Sequence, residues 1–284
     1  MPLRIFNNLN SQFAQKRLEN NSVNLGKVIS KVSSGERVQK NSDDGASHAI
    51  AESLKSDARA IRQGLRNLQS GLSLINVAEG GLNDVAGMLN RSIELANQAS
   101  TGTIGSAERR TLQLEYDALK QEINRIANTN EFSGQNLLDG SLAASGPSDD
   151  IIIHIGLDSS DENRINLNET LNLEAITTTS LGIDALDMRS AEGAKAALGK
   201  LQDSIDTLIK ARGRIGATHN SLTRAIQSLG VNIENITAAE STIRDSDIAQ
   251  EVTDLTKQLL LTQTSAAMVG QSNLIPEGVL LLLQ

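Results

Sequence analysis

Cysteine and tryptophan are absent from this chain, and it holds only three prolines, three phenylalanines and one tyrosine. Without cysteine there is no disulfide framework, no thiolate metal site and no thiol nucleophile. That suits the cytoplasm, and equally an exported protein that avoids oxidation. With aromatics at 1% of 284 residues, a deep globular core built on large rings is not available. Basic residues are outnumbered 26 to 34, for a net charge of −8. No basic run follows a phosphate backbone and few rings are present to stack bases, which argues against nucleic-acid binding. No segment reaches the roughly 20 apolar residues of a membrane span. Residues 1–10 also lack a signal-peptide apolar run. The expectation is no membrane insertion and, if the protein is exported, no cleaved leader.

What the chain does have is heptad spacing in Leu, Ile, Val and Ala. One series starts at Leu54, Ala58, Ile61 and Leu65 and continues in alternating steps of four and three to Ala96, with Glu79 its one polar member. At 1.5 Å per residue this predicts a rod of about 63 Å. A second series runs from Leu198, Leu201 and Ile205 to Ile243, with Arg212, His219 and Glu240 interrupting it. Two such seams, far apart in sequence, are expected to pack on each other. After a turn at 101–105, Ser106 reads as an N-cap. The helix that follows carries Leu112, Tyr116, Leu119, Ile123 and Ile126 on one face, antiparallel to the first rod. Alternation at Ile151, Ile153, Ile155 and Leu157, a polar turn, then Ile165 and Leu167 predict a β-hairpin lying against the rods.

The ends mirror each other. Leu9 and Phe13, then Leu25, Val28 and Val32, form a stripe near the N-terminus, among asparagines that disfavour helix interiors. Leu255 and Leu259 continue the pattern near the C-terminus after a register break at 244–247, and Val279, Leu280 and Leu282 belong to a terminal apolar run. Such segments fold when something covers the stripe and fray when nothing does. The fold class expected is mainly α: a long antiparallel, coiled-coil-like bundle of paired N- and C-terminal helices with a small central β-hairpin. Its parts are an N-terminal end helix (1–44), N-terminal rod helices (45–140), a short central region (141–185), a C-terminal rod helix (186–243) and a C-terminal end helix (244–284). The function read from this is self-assembly, with the paired ends completed by neighbouring copies.

Little points to chemistry. His48, His154 and His219 show no zinc spacing. Asp43-Asp44 and Asp245/Asp247 could be imagined around a cation, but capping of the helices that follow explains them more simply. The Gly213–Gly216 G-x-x-G falls inside a heptad series with no strand before it, and no dinucleotide or P-loop glycine pattern occurs. No catalytic residue, cofactor or metal is expected.

Four stretches carry a family resemblance: Lys31–Val38 (KVSSGERV) with Asn41–Ala46 (NSDDGA), Asn130–Gly140 (NEFSGQNLLDG), Ser241–Asp247 (STIRDSD) and Gln271–Leu280 (QSNLIPEGVL). In order and spacing they resemble the N- and C-terminal signatures of bacterial flagellins, over roughly residues 1–140 and 177–284. The resemblance implies a non-enzymatic subunit that polymerises with itself into the filament of the bacterial flagellum for motility. It also implies passage through the flagellar type III export apparatus with an export chaperone, growth under a filament cap, and an extracellular location. The end stripes would build an inner tube and the rods an outer one. With only residues 140–180 available between the rods, a thin filament is expected. Arg91, Leu95 and Glu115 match positions that host innate flagellin receptors recognise in the family. A hook–filament junction protein with similar ends, and a coiled-coil adaptor for a partner helix, are the alternatives.

Overall fold

The computed structural model describes residues 8–144 and 150–282, with 275–282 given by backbone alone. The chain forms two compact units: Ala58–Glu234, and Met1–Asp57 together with Asn235–Gln284. Among the described residues, six α-helices and four short strands follow in the order α1 (Leu9–Ser34), α2 (Gly45–Ser100), α3 (Ser106–Thr129), β1 (Glu131–Phe132), β2 (Gln135–Asn136), β3 (Ile152–His154), β4 (Arg164–Asn166), α4 (Leu167–Leu171), α5 (Ala191–Arg244) and α6 (Ile248–Leu282).

In the first unit the heptad positions Ile61, Leu68, Ile75, Leu82, Leu89 and Ala96 of α2 are buried, as are Leu201, Leu208, Ile215 and Leu222 of α5. The polar members of the two series meet: Arg212 Nη2 lies 2.7 Å from Glu79 Oε1. A second face of α2 is buried too, at Leu74, Ala78, Val85, Leu95 and Ala99. The sequence reading assigned α2 one seam, but α3 and the central segments cover this other side. Tyr116, Ile123 and Ile126 of α3 are buried as their spacing predicts. Ser106 is not the cap of α3; it is the first helical residue, after Gly105. The preceding turn is fixed instead by Arg109, whose guanidinium donates to the carbonyls of Ala99 (2.8 Å) and Thr101 (3.0 Å).

The expected hairpin is present. β3 and β4 pair antiparallel with Ile153 opposite Ile165, although Leu167 opens α4 rather than extending the strand. Ile153 is buried against the core. The approach is close because α2 offers glycines there: a Cβ on Gly64 would stand 2.5 Å from the Ile155 carbonyl oxygen, and one on Gly71 would collide with the Ile153 side chain. A second hairpin, unforeseen, pairs β1 with β2, its turn made by Ser133 (φ 54°) and Gly134 (φ 82°).

Residues 173–190 run irregularly along α3, lashed by side chains one turn apart. Asn124 bonds Thr178 (2.9 Å to both its amide and its hydroxyl), the Tyr116 hydroxyl donates to the Ile183 carbonyl (2.8 Å), Lys120 to that of Asp184 (2.9 Å), and Gln113 accepts from the Met188 amide (2.7 Å).

In the terminal unit α1 and α6 lie antiparallel, as Asn8 bonding to Ser272 and Asn21 to Ser265 require. α1 ends on Gly35 in the left-handed conformation (φ 75°). The joint that follows pairs with the break between α5 and α6 through a Glu36–Asp245 bridge. Asp44 caps α2 through the Ser47 amide (3.1 Å) and hydroxyl (2.6 Å), and Asp247 caps α6 through the Ala249 amide (2.9 Å). Both acidic pairs therefore include a helix cap.

Candidate assembly surface

The terminal pair mixes polar and apolar side chains where its helices meet and leaves several large apolar side chains facing outward. On α1 the buried and half-buried positions follow heptad steps: Ser11, Ala14, Leu18, Asn21, Leu25, Val28 and Val32. On α6 they are Glu251, Leu255, Gln258, Thr262, Ser265, Val269 and Ser272. Five of these seven α6 positions are hydroxyl, amide or carboxylate, whereas five of the seven on α1 are apolar. The seam is tied by polar bonds such as Asn21 Nδ2 to Ser265 Oγ (2.7 Å) and Ser11 Oγ to Asn273 Oδ1 (2.7 Å). Outside, Phe13 is 67% exposed, Leu260 59% and Met268 57%, with Val23, Ile29, Val252 and Leu274 also largely in the open. A groove on this face is lined by Phe13, Arg17, Leu261 and Met268 among others. Exposed apolar side chains gathered around a groove in this way mark an interaction site.

The structure divides the expected end stripe. Leu25, Val28, Val32 and Leu255 lie half-buried on the seam, whereas Leu9, Phe13 and Leu259 face outward. Val279, Leu280 and Leu282 lie in the helical backbone of α6, and their side chains fall outside the described residues. The reading from sequence placed Leu9, Phe13, Leu25, Val28 and Val32 on one stripe. They occupy two, because the step from Phe13 to Leu25 does not keep heptad phase. It also missed Leu260, Leu261 and Met268. The signal was present: three consecutive leucines, 259–261, sweep about 200° around a helix and cannot share one seam.

The cluster Arg91, Leu95 and Glu115 is likewise divided. Arg91 and Glu115 are exposed and paired at 2.7 Å, but Leu95 is 0% exposed because it belongs to the second buried face of α2. Its place on an exposed cluster is corrected accordingly. Among the described residues no group of three His, Cys, Asp or Glu could hold a metal, and no helix is long and apolar enough to cross a membrane.

A helical scaffold that leaves large apolar side chains such as Phe13, Leu260 and Met268 in the open on its terminal pair is that of a self-associating structural protein. Comparison with known proteins gives the particular class. Residues 5–143 match the bacterial flagellin N-terminal helical region and residues 198–283 the bacterial flagellin C-terminal helical region. The chain is 34% identical to a flagellar filament 30.7 kDa core protein of Treponema maltophilum, over 98% of this chain and 99% of that one. It is 33% identical to a flagellin of Bacillus subtilis, over 99% and 100% respectively. A putative flagellar hook-associated protein from Vibrio parahaemolyticus shares the fold alone (TM-score 0.59, 17% identity, 72% of this chain and 100% of that one). The chain belongs to the bacterial flagellin family, structural proteins of the flagellar filament.

Proposed function

We propose that this filament subunit polymerises through the outward faces of α1 and α6, and that the apolar side chains there are covered by neighbouring copies. The observation that carries this is the outward exposure just described: Phe13, Leu260 and Met268 stand in the open while the seam between the helices is filled by smaller aliphatic and polar side chains. In this reading 1–44 and 244–284 build the inner tube, 45–140 and 186–243 the surrounding one, and 141–185 the small outer decoration. Leu9, Phe13 and Leu259 contact other copies, Leu25, Val28, Val32 and Leu255 hold the pair together, and Val279, Leu280 and Leu282 complete the tube.

The finer expectations join this proposal: export through the flagellar type III apparatus, a chaperone and a filament cap as partners, and an extracellular filament. Any contact with a host innate receptor rests on Arg91 and Glu115. The hook–filament junction reading has no observation in its favour, since the likeness to the hook-associated protein is one of fold. Seeded polymerisation followed by electron microscopy tests the proposal. The triple variant Phe13→Ser, Leu260→Ser, Met268→Ser should keep the helicity of residues 58–234 yet form no filaments, as should removal of residues 279–284. Normal filaments from either would overturn it.

A further inference from the structure

Methionine sulfur is the most readily oxidised group this chain offers to solvent. Cysteine and tryptophan are absent, and the single tyrosine is wholly buried. Of the four methionines, Met1 lies outside the described residues. Met188 is wholly buried and Met88 packs against the core of the first unit. Met268 is different: it stands 57% exposed on α6. It lines the groove that also holds Phe13 and Leu261, side chains that another copy covers in the assembly reading. Among the described residues the most open thioether therefore lies on the proposed assembly face.

A thioether and its sulfoxide differ little in size and greatly in polarity. As a thioether, Met268 supplies adaptable apolar contact in an irregular groove. Hydrogen peroxide changes that: a sulfur lone pair attacks one peroxide oxygen, an S–O bond forms and the O–O bond breaks. The departing hydroxide takes the proton of the transferred oxygen and leaves as water, so sulfur is oxidised by two electrons and the peroxide reduced by two. In the soluble chain the new oxygen stays hydrated, because Met268 is largely open. Against a second copy it would be buried, and a strong acceptor buried without a donor opposes association. We propose that Met268 is an oxidation site that decides whether a chain joins the filament: the sulfoxide form is refused, and chains already incorporated are shielded from the oxidant. The inference rests on the assembly reading and adds a redox dependence to it. A methionine sulfoxide reductase with a dithiol as reductant returns the thioether, forming water and a disulfide, so refusal is reversible before incorporation.

The test exposes the full-length chain to hydrogen peroxide, once in dilute solution and once in seeded filaments, and reads oxygen uptake at each methionine by peptide mass spectrometry. In dilute solution Met268 should gain oxygen well before Met188; in filaments it should slow to the pace of Met188. Chain oxidised at Met268 and cleared of peroxide should elongate seeds more slowly by about tenfold or more, and the reductase with a dithiol should restore the rate. Met268→Leu, whatever its own starting rate, should lose none of it to peroxide. If Met268→Leu does not polymerise, the chain carrying Met88→Leu and Met188→Leu, compared with its own unoxidised rate, should show the full loss. Equal uptake at Met268 in chain and filament overturns the inference, as does a peroxide loss that persists in Met268→Leu or is missing from the Met88→Leu, Met188→Leu chain. Normal growth by the sulfoxide chain overturns it too, and would show that Arg17, which also lines the groove, donates to the new oxygen. The double variant Phe13→Ser, Leu260→Ser separates the two readings: if it forms no filaments while Met268 fails these tests, the assembly proposal stands without the redox dependence. If it polymerises normally, both fall.

Discussion

Single side chains show how few polar contacts organise this structure. Glu79 and Arg212 interrupt the two heptad series, and they meet at 2.7 Å. Each is more than a third exposed, so solvent screening keeps the net worth of the pair small. Removing one partner is the damaging change, because the other is left half-buried without its counter-charge. Arg212→Leu should cost about 1 kcal/mol in urea unfolding, and adding Glu79→Leu should restore much of it. The Tyr116 hydroxyl, wholly buried, donates to the Ile183 carbonyl. Tyr116→Phe should cost about 1 kcal/mol, measurable in the same way. Burial drives the phenol pKa far above its ordinary range, so this bond persists across the working pH range. At the start of α2 the hydroxyl and then the amide of Ser47 hold the Asp44 carboxyl below the ordinary value of 3.8. A depressed carboxylate pKa gives stability that is present above the unfolded value and lost as pH falls through the folded one. The difference in melting temperature between the native chain and Asp44→Ala should therefore be full above about pH 5 and shrink as acid protonates the cap.

Elements differ in how far the sequence revealed them. The rods were legible because a heptad of Leu, Ile and Ala admits one period, and Ile151, Ile153 and Ile155 announced their hairpin by strict alternation. The second buried face of α2 was not, because Leu74, Ala78, Val85 and Leu95 read as ordinary interstitial residues until α3 and the hairpins cover them. Nor was the irregular segment 173–190, whose order comes from the ladder Gln113, Tyr116, Lys120 and Asn124. Those residues are unremarked singly and meaningful only once the partner backbone is in place. The glycines of α2 carry a related lesson. Gly64 in a helix interior looks like a weakness, yet it is where the Ile155 carbonyl passes closest. Because that neighbour is backbone and cannot turn aside, Gly64→Ala should displace the hairpin and cost about 1–3 kcal/mol. Faster exchange at the Ile155 amide, now bonded to the Asn163 carbonyl at 2.9 Å, would report it. Unchanged protection would show that the slot has slack.

For the molecule as a whole, the two units have opposite economies. Ala58–Glu234 buries Leu, Ile and Val around a continuous core, whereas α1 and α6 only half-bury a mixed seam of leucine, valine, serine, asparagine and glutamine and leave phenylalanine, leucine and methionine outside. The sequence reading anticipated apolar stripes in search of cover. The direction in which they point came from the packing, because which heptad positions face the partner helix is settled only when both helices are in place. Such a pair has little reason to stay folded alone, and its native environment is other copies of itself. Hydrogen exchange on the same chain, dilute and then polymerised, addresses this most directly. The amides of α1 and α6 should exchange orders of magnitude faster than those of α2 in the dilute chain, and approach them in protection once filaments form. Protection of α1 and α6 equal to that of α2 in the dilute chain, unchanged on polymerisation, would contradict the account.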